Sequence, residues 1–450
     1  MKGRRKRVSI IGTTLVIAAA ATVWATVASA HPAKTARTSD TVLTIMGFGK
    51  GDDVAETRAA IATKAVGGDV DRPSGGFNDQ QFLAAVASGN VPDLVYLDRQ
   101  KVGTYAAKGA FQPLDACIKS QKINMSQYRK AALQEVTYKG HVYGIPEFYT
   151  IRNILVNNDV LDITHTPIGW LNPAKPQQLL KAAKQMVKFD SSGKLTRIGF
   201  DPKIPEFFPL WAKAYGVDIL SKDGLTPHLN APGAVKALTY TMSLINAQGG
   251  WDRFKAFRDT WDFFGSKNQV ATDQVGAWPM EQWYYNVLAG ASPQVHITGL
   301  QFRNLKNQPI QYETGSAWAI PKGAKHPGAA CTWMKTMTSV STWVAAANNR
   351  AKIRAEKKQP YTGILTANAP ADALIYKGIP KVNKYFDEAV KKYYDQQKYS
   401  IGIPASPASA EFQTAWNDAI NRVLSGQQSP KAALDQAQKE AQQAIKNATR

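Results

Sequence analysis

The sequence predicts an α/β protein built from more than one domain. At 450 residues the chain is too long for one simple core and calls for two or three. A β-rich run at 41–46 (TVLTIM) passes through the glycine loop 47–51 into a helix at 54–65, opened by the acids Asp52-Asp53. Strand, loop, helix is how an α/β domain begins. The pattern continues in a helix at 77–88, a stop at Gly89-Asn90, and a strand at 94–97 entered through Pro92-Asp93.

The ends are read separately. Lys2, Arg4, Arg5, Lys6 and Arg7 precede a small, apolar run at 8–28 and an A-x-A site at Ala28-Ser29-Ala30. Residues 1–30 therefore read as a secretory signal peptide removed before His31; a membrane anchor is the alternative, and the A-x-A site argues against it. Residues 31–40 read as a flexible polar linker. The chain carries a formal charge of +21, or +16 without the five basic residues of the leader. A basic exported protein can adsorb to anionic polymers or headgroups. Nucleic-acid binding is set aside, because Lys and Arg are scattered and no recognition motif accompanies them.

Cys117 and Cys331 are too few for a disulfide scaffold and lack metal spacing. Export permits a disulfide between them; two buried small hydrophobes is the other reading. The six histidines form no HExxH-like pair, so neither a metal nor a cofactor is expected. The glycine loop also lacks the spacing of a phosphate cradle.

The segment 136–160 organises the rest. A Lys139-Gly140 turn joins two short strands, Pro146 interrupts the second, and an extended apolar run follows at 151–156. Between them, Glu147 to Arg152 mix acid, aromatic and guanidinium groups, which suits a ligand cleft better than a core. Downstream, a helix is read at 170–187 and a strand at 197–200. Prolines then break 201–208, and helices follow at 211–215 and 233–247. Ten aromatics fall within 249–285, far above the 10% chain average. Some are core: Phe254 and Phe257 share one helix face. Helices at 326–338 and 352–359, a turn-rich loop at 360–369 and a terminal helix started by Ser429-Pro430 complete the chain.

Several blocks resemble one family in the correct order. FLAAVASGNVPDLVYLDRQKVGTYAAKGAFQPLD, YKGHVYGIP with the crossing to NND, QVGAWPMEQW, YETGSAWAIPK and PKGAKHPGAACTWMKTMTS are similar to blocks of the ABC-transporter extracellular solute-binding proteins of family 1, the sugar-binding group that includes maltose-binding protein. The resemblance implies a two-lobed periplasmic-binding-protein-like (type II) α/β fold with the ligand between lobes. Lobe 1 would hold 41–148 and 315–384, and lobe 2 would hold 149–314 and 385–450. Hinge strands are expected at 149–153 and 313–316. By the same resemblance Asp98 and Arg99 lie at the cleft, with a surface ion pair as the alternative, and Gly315, Ser316 and Trp318 face it. Trp278, Glu281 and Trp283 are sugar-contact candidates, with a core role for either Trp as the alternative. Phe148, Tyr149 and Arg152 complete the candidate set.

The function implied is a non-catalytic, monomeric receptor that captures a mono- to oligosaccharide by hinge closure and delivers it to the transmembrane subunits of an ABC permease. Arg152 and Arg99 leave an acidic sugar or organic anion as the alternative ligand. An exported glycosidase would need two carboxyls flanking the bond, and Glu147 with Glu281 is the pair to test. An adhesin reading rests on charge alone. Many relatives carry a lipidated Cys at the cleavage site. None occurs here before Cys117, so retention is expected from elsewhere or from a periplasm.

Overall fold

The computed structural model describes residues 41–450; the segments read as a signal peptide, 1–30, and a linker, 31–40, lie outside them. Along the chain, β1 (Thr41–Met46), β2 (Asp69–Asp71) and β3 (Leu94–Asp98) alternate with helices Asp53–Val66 and Asp79–Ser88. The first helix starts where its cap dictates: the Asp52 carboxylate accepts from the N–H groups of Val54 and Ala55, and Gly67 ends it in the left-handed region. The hairpin β4 (Thr137–Tyr138) and β5 (His141–Val142) turns on Lys139 and Gly140, at φ 47° and 83°. Then come β6 (Ile145–Pro146), β7 (Thr150–Asn157), β8 (Lys188–Phe189), β9 (Leu195–Phe200), β10 (Val275–Glu281), β11 (Ile297–Leu300), β12 (Gln311–Thr314), β13 (Ser316–Ala319) and β14 (Ser400–Ile401).

These strands form two main sheets. The first has the order β2-β1-β3-β13-β6; the second runs β14-β12-β7-β10-β9-β8, with β11 also on β7. The chain passes from the first to the second through Glu147-Phe148-Tyr149, and returns through Gly315. The two crossings run side by side: Glu313 pairs with Ile151 and Thr314 with Thr150, while Ser316 pairs with Asp98 and Ala317 with Pro146. Gly315 has no room for a side chain, since a Cβ would meet the Phe148 carbonyl and lie 2.6 Å from Arg99 Nη1.

Both sheets are covered on both faces, so β7 and β10 are buried almost throughout. Cys117 and Cys331 form a disulfide, with Cα atoms 5.8 Å apart. Two helix expectations are corrected. The helix read from residue 170 starts at Pro176, after a 3₁₀ turn at Ile168–Trp170, because Pro173 and Pro176 bar an earlier start. The helix read from 352 begins at Val340, capped by the Ser339 hydroxyl, and runs to Glu356. Helices Ala369–Lys377 and Lys384–Gln396 were not anticipated; Asn368 and Asn383 cap them. At the other end, Ser429 caps the helix Pro430–Ala448 as read. Among the described residues, no helix is long and apolar enough to cross a membrane, and no cluster could hold a metal ion.

Candidate functional site

A cavity of about 390 Å³ lies where the crossings leave the first sheet. Phe148, Thr150, Gly315 and Ser316 come from the crossings themselves. Asp52, Val54 and Arg350 come from helices beside the first sheet, and Gln282, Trp283 and Asn286 from the end of β10 and the helix after it. Phe264, the loop Thr362 to Leu365 and Tyr393 close the remainder.

Its electrostatics are nearly balanced. Of the lining side chains only Asp52 and Arg350 carry charge, and they pair: Arg350 Nη2 lies 2.6 Å from Asp52 Oδ2, while its Nε donates to Asp53 Oδ2 at 2.9 Å. Burial acts to raise the Asp52 carboxyl, but the Arg350 guanidinium overcomes it and holds the group below its ordinary value. The Gln282 amide is spent on the crossing, accepting from the Ile151 N–H at 2.8 Å and donating to the Tyr149 carbonyl at 3.1 Å. The hydroxyls of Thr150, Ser316 and Thr362 and the Asn286 amide give the rest of the wall its polarity. Trp283 and Phe264 form the exposed aromatic surface, with ring centroids 6.3 Å apart.

The candidate residues divide. Phe148 lines the cavity, half-buried and edge-on to Trp343 at 5.1 Å. Trp283 lines it too, 37% exposed, as do Gly315 and Ser316. Asp98 is exposed at the tip of β3, opposite Ser316. Trp278 is a correction: it is 0% exposed, enclosed by Trp261, Phe263 and Tyr284, because the middle of β10 is covered on both faces. Trp318 is likewise core, packed on Phe48, Tyr96 and Trp333. Tyr149 is buried between the Arg99 and Arg129 guanidiniums.

Both arginines are engaged below the surface. Arg152 bonds the carbonyls of Thr150 and Tyr312, the Thr314 hydroxyl at 2.7 Å and Glu281 at 3.3 Å. Arg99 is fully enclosed, paired with Glu135 at 2.7 Å and with Glu313. The carboxyl pair considered for hydrolysis is not assembled: Glu147 is buried against Arg58, and Glu281 is tied to Arg152. Sequence reasoning missed Asp52, Phe264, Asn286, Arg350 and Tyr393 as wall residues. Phe264 had a signal in the aromatic density of 249–285; Arg350 and Tyr393 had none, since each lies on a helix read late or not at all.

The chain is similar to known proteins at two levels. The family of bacterial extracellular solute-binding proteins matches residues 57–350, and the chain belongs to that family. No curated protein matches its sequence. Among solved structures, CpMnBP1 with mannotriose bound aligns at TM-score 0.71 and 22% identity, covering 89% of this chain and 100% of that one. The substrate-binding protein Lmo0181 from Listeria monocytogenes, in complex with cycloalternan, aligns at 0.69 and 17%, covering 90% and 98%. The maltose/maltodextrin-binding domain MalE from Bdellovibrio bacteriovorus, bound to maltotriose, aligns at 0.67 and 20%, covering 90% and 99%. The fold is therefore the two-lobed α/β fold of these binding proteins, with the cavity at the junction of its two sheets.

Proposed function

We propose that this protein is the solute receptor of an ABC importer, and that it captures a neutral carbohydrate, mono- to oligosaccharide, in the cleft and delivers it to a membrane permease. The observation that carries this reading is the exposed Trp283–Phe264 pair over a wall whose charges cancel. Aromatic faces match the apolar C–H faces of a pyranose, and hydroxyl and amide groups match its hydroxyls. The oligosaccharides in the names of the aligned structures support the same class. Phe148, Trp283, Phe264, Asn286 and Ser316 are the contacts we put forward. The acidic-ligand reading loses its support, because Arg99 and Arg152 are already paired.

Capture proceeds by hinge closure of two lobes, 41–148 with 315–384 against 149–314 with 385–450, bending in the paired crossings. The gain comes from excluding water between ring faces and polar groups that meet on both sides of the ligand. The protein is a receptor and not an enzyme, and acts outside the membrane. Thermal unfolding against neutral sugars, sugar acids, organic anions and amino acids tests the class, since a ligand of the folded state raises the midpoint by mass action. A rise with neutral sugars, which chromatography recovers unchanged, supports the reading. A rise with anions alone, or consumption of the sugar, rejects it.

A further inference from the structure

Arg99 occupies the point where both crossings meet. Its backbone N–H donates to the Gly315 carbonyl at 2.9 Å, and Nη1 donates to the Phe148 carbonyl. Nε donates to Glu135 Oε2 at 2.7 Å, and Nη2 to Glu313 Oε2. Glu135 belongs to the helix Lys130–Val136 and Glu313 to β12, so the guanidinium ties three pieces of backbone together and the Arg99 N–H adds Gly315. All three side chains are 0% exposed.

The charges around this point do not balance. Arg99, Arg129 and Arg152 are the cations; Glu135, Glu313, Asp372 on Arg129 at 2.6 Å, and Glu281 on Arg152 at 3.3 Å are the carboxylates. The phenols of Tyr149 and Tyr312 complete the surroundings. Three guanidiniums thus face four carboxylates. Oε1 of Glu135 and Oε1 of Glu313 make no close hydrogen bond, although the backbone N–H of Ile403 faces the Glu135 carboxylate. Both lie 3.0 Å from the position a Cβ would take on Gly402, so the two free oxygens converge on one spot. A buried carboxylate pair with a single cation between them retains a proton, because two adjacent like charges cannot both be ionised in a medium that solvates neither.

We propose that Glu135 and Glu313 share one proton over Arg99, and that this protonated triad is the pin holding the two crossings in register. Arg99 is then a positioning residue for capture, acting through the crossings. Burial raises both carboxyls above their usual range in spite of Arg99, in keeping with the proton count. The sign follows from linkage. A carboxyl whose folded pKa lies above its unfolded value stabilises the fold at low pH, and that stability is lost as pH rises through the folded pKa. The inference does not depend on which solute the cleft takes.

The test is thermal unfolding of the full chain from about pH 6, where Asp372 has half-ionised, into the alkaline range, compared with Glu313→Gln and Glu135→Gln. The wild-type midpoint is expected to fall as pH rises, and either carboxamide, which carries no proton to lose, is expected to flatten that fall. Slopes unchanged in the variants would overturn the proposal, and one folded variant suffices to decide. Should neither fold, the infrared spectrum of the wild type, followed upward from about pH 6 as the Asp372 carboxyl finishes ionising, decides instead. A protonated carboxyl C=O band supports the shared proton, and its absence refutes it.

Discussion

Phe264 and Trp283 stack at the mouth of the cleft, their planes 15° apart and their exposures 67% and 37%. Two large rings held parallel in water, on a wall otherwise made of hydroxyls and amides, form a surface shaped for a flat apolar partner. Trp283 is placed by the end of β10, which releases the chain into a helix at the cavity; Phe264 reaches it from the preceding loop. Trp283→Ala and Phe264→Ala are each expected to weaken carbohydrate binding about tenfold or more, a loss of roughly 1.4 kcal/mol. Because both rings are exposed, the unliganded melting temperature should move little. Calorimetric titration beside an unfolding scan checks both halves.

Trp278, five residues earlier, behaves in the opposite way. It is closed in by Trp261, Phe263 and Tyr284. Trp278→Ala is expected to cost about 3–5 kcal/mol of stability through the cavity it leaves. Denaturant unfolding measures it. Trp278→Phe should recover much of the loss.

Asp372 supplies a pH dependence at the acid end. Burial pushes its carboxyl up to about 6 from 3.8, against the pull of Arg129 and Thr366. The folded state therefore holds a proton that the unfolded chain releases between those values. Stability from this group is present below 3.8 and is lost as pH rises to about 6, by roughly 2–3 kcal/mol. Asp372→Asn should remove that slope whatever its absolute stability, as equilibrium unfolding at stepped pH will record.

The Cys117–Cys331 bridge joins helices Asp115–Ser120 and Pro327–Thr338 across 214 residues of sequence. Closing so long a loop contributes about 2–5 kcal/mol. Reduction, or the double serine variant, is expected to lower the unfolding free energy by that amount and the midpoint with it. Binding below the new midpoint should persist, since neither cysteine lines the cleft.

The sequence carried the frame further than the site. Turn chemistry and capping located β3, the Lys139-Gly140 hairpin and the Pro430 helix start, because Gly, Pro and Ser act within a few residues of themselves. The mixed run Glu147 to Arg152 announced a crossing, but not which side chains would face the ligand. Trp278 and Trp283 read alike in sequence; only the covering of both sheet faces separates a core ring from a cleft ring. The family resemblance placed Arg99 at the cleft, and its true partners are remote, Glu135 at 36 residues and Glu313 at 214. Charge pairing over such separations leaves no local pattern.

The most direct measurement is calorimetric titration of the protein with mannotriose and maltotriose, each against wild type and Trp283→Ala. Saturable binding of at least one trisaccharide by the wild type, weakened about tenfold or more in the variant, is the result this account predicts. No binding of either, together with binding of an organic anion that Trp283→Ala leaves intact, would contradict it.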